Sequence, residues 1–160
     1  MRPTSANRWM IALLASAGLL RGTPLAADDQ PANNVKVSVV AILASEKDSP
    51  ADPRLADIAA EVRKRHPQLK GFRLAKMTCK SVPKGTTESF ELVADQTASI
   101  TVMRAADKNN DVQLKVSPPT LGEITYTTKC GKFFPIVTRY QTNRESLIIA
   151  IRVQPCHGKK

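Results

Sequence analysis

The sequence predicts an α+β fold, with one N-terminal strand and one helix followed by about six mostly antiparallel strands. Three observations support this class. The segment from Val35 to Ser45 is apolar enough for a buried strand. The segment after Asp52 has the spacing of an amphipathic helix, and the remaining chain alternates apolar and polar residues between turns. Two arrangements stay open: one sheet with the helix packed on it, or a small sandwich.

The first strand and the helix form the N-terminal βα unit of this prediction. Val35 to Ser45 (VKVSVVAILAS) alternates at its start and is then continuously apolar, which predicts burial on one face first and on both faces later. The helix is predicted to begin at Asp52-Pro53, because Asp accepts from free N–H groups and Pro suits the first turn. Pro67 ends it. Its apolar stripe consists of Leu55, Ile58, Ala59 and Val62.

From Phe72 onward the pattern is typical of short strands separated by turns. Leu147 to Val153 (LIIAIRV) is the most apolar stretch and predicts a central strand. Asp107 to Asp111 (DKNND) begins like a calcium-binding loop, but Val112 and Pro118 stand where such a loop needs Gly and Glu. We therefore expect an Asx-rich turn there.

The first 27 residues have the pattern of a secretory signal peptide. Arg2 and Arg8 precede an uncharged run from Trp9 to Leu20, and small residues lead to a predicted cleavage after Ala27. The run is shorter than the roughly 20 residues that span a bilayer, and a buried N-terminal helix is the alternative. Residues 28–34 are predicted as a flexible lead-in and residues 35–160 as a single domain. The expected location is periplasmic or secreted, with no membrane span after cleavage.

The charge balance is strongly basic, with 24 Lys and Arg against 14 Asp and Glu, a formal net charge of +10. Loss of Arg2, Arg8 and Arg21 with the signal leaves +7. Such a surface attracts an anionic envelope polymer or another envelope protein, or it only keeps the protein soluble. The low aromatic content, 4%, disfavours nucleic acid. The predicted basic patch comprises Arg63, Lys64, Arg65, Lys70, Arg73 and Lys76.

The chain has three cysteines, Cys79, Cys130 and Cys156. A hairpin with its turn at residues 142–145 opposes residues whose numbers sum to about 287. Cys130 then faces position 157, next to Cys156, unless a bulge at Gly131 or Pro135 shifts the register. We therefore expect a Cys130–Cys156 disulfide in an exported chain. Cys79 is expected to be a small buried hydrophobe.

Two other classes of function, a metal or redox protein and a small hydrolase, have less support in the sequence. Cys130, Cys156 and His157 could hold a metal ion or act in redox chemistry, which is the first alternative. Scattered carboxylates leave a small secreted hydrolase as the second. The chain has no Gly-x-Ser-x-Gly, no Walker loop and no dinucleotide fingerprint. The sequence therefore favours a non-enzymatic exported binding domain, with no catalytic residue and no cofactor predicted and its oligomeric state open.

Overall fold

A computed structural model describes residues 34–154, which form two four-stranded antiparallel sheets and one short helix. In chain order the elements are β1 (Asn34–Ser45), α1 (Ala56–Arg65), β2 (Gly71–Pro83), β3 (Thr87–Glu91), β4 (Thr97–Arg104), β5 (Asp111–Ser117), β6 (Ile124–Lys129), β7 (Phe134–Thr142) and β8 (Glu145–Gln154). Sheet A has the order β2-β1-β8-β7, and sheet B has the order β3-β4-β5-β6. The predicted signal peptide lies outside the described residues, as do Cys156 and His157. Asn34, assigned to the lead-in, is the first residue of β1.

The α+β prediction is correct in part, since the described fold is mainly sheet with one helix. Seven strands follow the helix, one more than the predicted six or so. The alternation of apolar and polar residues is weakest in β6, where every residue is exposed or half-exposed. Thr128 takes an inward position there, on the same face as Ile124 and Tyr126. Of the two arrangements left open, the structure has the sandwich, because one apolar core joins both sheets.

The core between the sheets is built from the inward residues of alternating strands. Phe90, Ile100 and Leu114 of sheet B are fully buried against Ile149 and Ile151 of sheet A. Burying such a side chain stabilises a fold by roughly 1.5–3 kcal/mol. A slip of one residue in any of these strands would turn its apolar set outward, so the alternation determines which face lies inside.

Helix α1 covers the opposite face of sheet A and forms a second apolar cluster there. Its buried stripe packs on Ile42, Phe72 and Ile148. Strands β1 and β8 are therefore covered on both faces, which confirms the prediction for β1 and the central position of β8. Asp52 accepts a hydrogen bond from the backbone N–H of Arg54 at 3.0 Å and caps a 3-10 turn that leads into the helix. Within residues 34–154, no helix has the length and apolarity needed to cross a bilayer.

The β7–β8 hairpin has the predicted register at its turn and a shifted one further along. Thr142 pairs with Glu145, so the numbers sum to 287 as expected. A bulge between Val137 and Gln141 then shifts the pairing, and Phe134 opposes Ile151. The sequence predicts that a bulge, if present, lies at Gly131 or Pro135. The structure instead has it where Thr138 bonds the Leu147 carbonyl oxygen at 2.8 Å through its hydroxyl.

Candidate binding surfaces

Three of the six predicted patch residues are compensated by carboxylates. Each terminal nitrogen lies close to a carboxylate oxygen: Lys64 to Glu61 at 2.7 Å, Arg73 to Glu145 at 2.7 Å and Lys76 to Glu91 at 3.0 Å. Hydrogen bonds from these cations lower the pKa of each carboxyl below its usual value. The carboxylates therefore stay charged near neutral pH, and these three cations contribute less to an anion-binding surface than the sequence suggested.

The other three patch residues, Arg63, Arg65 and Lys70, form no ion pair with a carboxylate among residues 34–154. Arg65 still acts on Glu61, because its charge adds to the effect of Lys64 in lowering the pKa of that carboxyl. Arg63 donates to the backbone carbonyl of Lys70 and lies 4.9 Å from the ring centroid of Phe72, so it also joins the helix to β2. The exposed loop with Lys47 is adjacent, because Lys70 N–H bonds Ser45 O at 2.8 Å. We call Lys47, Arg63, Arg65 and Lys70 the helix-end surface.

Ion pairing across the described residues is one to one. Seven pairs join a cation to a carboxylate, and each uses a different acidic residue. Since Lys and Arg outnumber Asp and Glu in the chain, this arrangement leaves cations over. The helix-end surface carries four cations that form no ion pair within the described residues.

A groove of about 890 Å³ separates α1 from the start of β7. Its apolar wall includes Ile58 and Val62 of the helix together with Phe133 and Val137. Arg152 of β8 also lines it, with its guanidinium carbon 4.6 Å from the Phe133 ring centroid. We call this the α1–β7 groove. Arg152 is not among the residues predicted from the sequence, although an arginine within the most apolar strand is a signal for such a site.

A second depression, of about 690 Å³, lies at the other end of β7. Glu46, Lys47, His66, Arg144 and Glu145 line it, so its charges are mixed.

The two cysteines of the described residues, Cys79 and Cys130, lie in different surroundings. Cys79 is exposed on β2, which corrects the expectation that it is buried. Its sulfur lies 3.2 Å from the Ser38 hydroxyl on the outer face of sheet A, at the edge strand. Cys130 follows β6, and its sulfur lies 3.1 Å from the carbonyl oxygen of Val153. In the part of the chain that the structure describes, Cys79 is the free cysteine.

The two alternatives for chemistry gain no support from the described residues. Within residues 34–154, no three His, Cys, Asp or Glu side chains are grouped so that they could share a metal ion, although Cys156 and His157 lie outside this range. Each groove has two carboxylates on its lining, Asp57 and Glu61 in one and Glu46 and Glu145 in the other. A general acid needs a raised pKa, whereas cations lower the pKa of Glu61 and of Glu145.

The Asp107–Asp111 segment is the predicted Asx-rich turn between β4 and β5. Asp107 Oδ1 accepts from the backbone N–H groups of Asn109 at 2.8 Å and of Asp111 at 2.9 Å. These bonds lower the pKa of Asp107. The carboxylate that a calcium loop would use as a ligand here holds the turn together.

Comparison with known proteins adds no family to this picture. No protein-family profile matches the chain, and neither a curated protein nor a solved structure matches it significantly.

Proposed function

We propose that this chain is an exported, non-enzymatic binding module whose helix-end surface engages an anionic polymer of the cell envelope or an acidic face of another envelope protein. The observation that carries the proposal is that Arg63, Arg65 and Lys70 lie at or just beyond the C-terminal end of α1 and that none of them forms an ion pair among residues 34–154. Export rests on the signal-peptide pattern of residues 1–27.

The physical basis is electrostatic. Cations at the C-terminal end of a helix complement its negative dipole, which stabilises the helix without neutralising their charge fully. A polyanion that binds several such cations releases its condensed counterions, so its affinity falls steeply with salt. Arg73 and Lys76 contribute little to this effect because Glu145 and Glu91 already compensate them.

The test compares two double variants with the same change in net charge. Arg65→Gln/Lys70→Gln removes two cations of the helix-end surface that form no ion pair among residues 34–154. Lys84→Gln/Lys108→Gln removes two exposed cations in turns distant from it. Lys84 lies beyond the far end of β2, roughly 40 Å along the strand from Lys70. Lys108 lies in the β4–β5 turn of sheet B, and sheet A separates sheet B from α1. Each purified protein is eluted by a salt gradient from immobilised poly-L-glutamate and from immobilised heparin.

The first variant should elute at clearly lower salt than the second, and its retention should depend less steeply on salt. Equal shifts for the two variants would mean that retention follows net charge alone. That result would overturn the assignment of binding to the helix-end surface.

The Cys130–Cys156 disulfide is a second part of the proposal and concerns the same exported state. Beyond the bulge, the numbers of paired residues in β7 and β8 sum to 285, as for Phe134 and Ile151. The same register, extended past both strands, would place position 155 opposite Cys130. Position 155 is next to Cys156 in the sequence. The Cys130 sulfur already lies beside β8, and the N–H of Gly131 bonds the Val153 carbonyl oxygen at 2.9 Å. A disulfide here would tie the end of β8 to the β6–β7 connection.

Peptide mapping without reductant tests the pairing, with Cys130→Ser and Cys79→Ser as matched variants. We expect a cross-linked peptide that contains Cys130 and Cys156, lost in Cys130→Ser and kept in Cys79→Ser. Two free thiols at Cys130 and Cys156 in the exported protein would refute the disulfide.

A further inference from the structure

Arg152 stands out among the cations because of where its strand places it. Its neighbours Ile151 and Val153 point into the core between the sheets, so Arg152 points to the α1 side of sheet A. It pairs in register with Ser38 of β1, which is only 1% exposed. The guanidinium therefore extends from a buried part of sheet A to the lining of the α1–β7 groove.

The contacts of Arg152 leave its charge uncompensated. Its guanidinium stacks over Phe133, a favourable cation–π arrangement. Its Nε is buried and has no hydrogen-bond partner. None of the seven ion pairs of the described residues uses it. A partly desolvated guanidinium without a counter-ion gains strongly from an anion, and its planar donors match a carboxylate.

The remainder of the groove limits what kind of anion can bind. Ile58, Val62 and Val137 give it an apolar wall, which suits a hydrocarbon chain. The cations on the lining, Arg54, Arg65, Lys132 and Arg152, outnumber its two carboxylates, Asp57 and Glu61, so the groove favours an anion. Next to the apolar wall, the ligand that fits is one with a single charged end and an apolar remainder. The volume of about 890 Å³ lies in the range of small-molecule sites.

We propose that the α1–β7 groove binds a long-chain monocarboxylate. The carboxylate is held by Arg152, with Lys132 as a second cation beside Phe133, and the alkyl chain lies along Ile58, Val62 and Val137. This site goes beyond the proposed function, because Arg152 holds its ligand and that ligand carries a single charge. Arg65 of the helix-end surface also lies on the groove lining, so the test depends on Arg152 and not on Arg65.

Three probes with the same ten-carbon chain test the role of the charge: decanoate, decanol and decylammonium. Each is titrated into the purified chain and followed by calorimetry and by backbone amide chemical shifts. Decanoate should bind most tightly, decanol more weakly and decylammonium least. The shifts should concentrate at Phe133, Val137 and Arg152.

Two variants with the same change in charge test the residue. Arg152→Gln should weaken decanoate binding by roughly tenfold or more, as expected for loss of a charged hydrogen bond. Arg139→Gln, an exposed cation elsewhere on the hairpin, should leave binding unchanged. Neither variant should alter retention on poly-L-glutamate as Arg65→Gln/Lys70→Gln does, so failure of this inference is distinguishable from failure of the proposed function.

Several results would overturn the inference. These are equal binding of decanoate and decylammonium, unchanged binding by Arg152→Gln, or shifts confined to other surfaces. Binding of an acidic hydrophobic peptide in the groove without binding of decanoate would also reject it, in favour of a protein ligand. If Arg152→Gln does not fold, the three-probe comparison and the shift map on the natural chain still decide the question.

Discussion

Three glycines in this fold should respond differently to alanine substitution, because crowding constrains one, backbone conformation constrains another and neither constrains the third. At Gly71 a Cβ would lie 2.3 Å from Ser49 Oγ, 2.7 Å from Ser45 Oγ and 2.9 Å from the carbonyl oxygen of Lys47. At Gly122 a Cβ would meet nothing within 4 Å. At Gly85 the space is also open, but φ is +82°, which L-residues rarely adopt. Crowding therefore constrains Gly71, and backbone conformation constrains Gly85.

The expected magnitudes follow from these distances. Gly71→Ala must displace the loop that holds Lys47, and such overpacking costs about 1–3 kcal/mol. Gly85→Ala should cost about 1–2 kcal/mol, because the left-handed conformation disfavours a Cβ by that amount. Gly122→Ala should change stability by less than about 0.5 kcal/mol, as for an unconstrained surface site.

Urea unfolding followed by circular dichroism measures all three variants against the natural chain. Adding Ser49→Ala to Gly71→Ala should recover part of the loss, because the closest clash is with the Ser49 hydroxyl. The Lys47 carbonyl is backbone, so recovery should be incomplete. A loss in Gly122→Ala as large as that in Gly71→Ala, or no recovery in the double variant, would refute the crowding argument.

Three further predictions concern single side chains. Ala94 adopts φ of 49° in the β3–β4 turn, so Ala94→Asn, which tolerates that conformation, should stabilise by about 0.5–1 kcal/mol in urea unfolding; an unchanged midpoint would contradict this. The Tyr126 hydroxyl is buried without a hydrogen-bond partner, and burial raises its pKa. Tyr126→Phe keeps the ring stacked on Phe134 and should be neutral or stabilise by up to about 1 kcal/mol; a clear loss in thermal unfolding would show that the hydroxyl has a partner. Arg73 lowers the folded-state pKa of Glu145 below its ordinary value, so this pair stabilises the fold above the unfolded pKa and its contribution is lost as pH falls from about 5. Glu145→Gln should therefore flatten the acid side of the stability curve, and an unchanged acid slope would reject that role for the pair.

Much of the local structure could be predicted because it depends on neighbours in the chain. Asp52 caps the turn before α1 through its own side chain, and Pro67 follows the end of the helix. The alternation of Val112, Leu114 and Val116 with polar residues predicts β5 and its inward face. All three side chains are fully buried, as that alternation predicts. The register of the β7–β8 turn follows from its short loop.

The candidate sites were harder to predict because charge compensation depends on distant residues. Arg73 and Glu145 are separated by 72 positions, and their hydrogen bonds at 2.9 and 2.7 Å arise only when β2 and the β7–β8 turn meet at one end of sheet A. The sequence therefore could not separate compensated cations from Arg65 and Lys70. Cys79 was expected to be buried, but it lies on an edge strand where α1 does not cover the sheet.

By itself, the sequence determined the elements of this protein, their inward faces and its excess of positive charge, since these depend on residue type and spacing along the chain. The tertiary structure alone decided that the strands form two sheets and that α1 covers one of them. It also decided which cations lack a counter-ion and that Arg152 meets Phe133 in the α1–β7 groove. The reason is physical: burial and ion pairing depend on which surfaces meet in space, and residues far apart in the chain supply those surfaces.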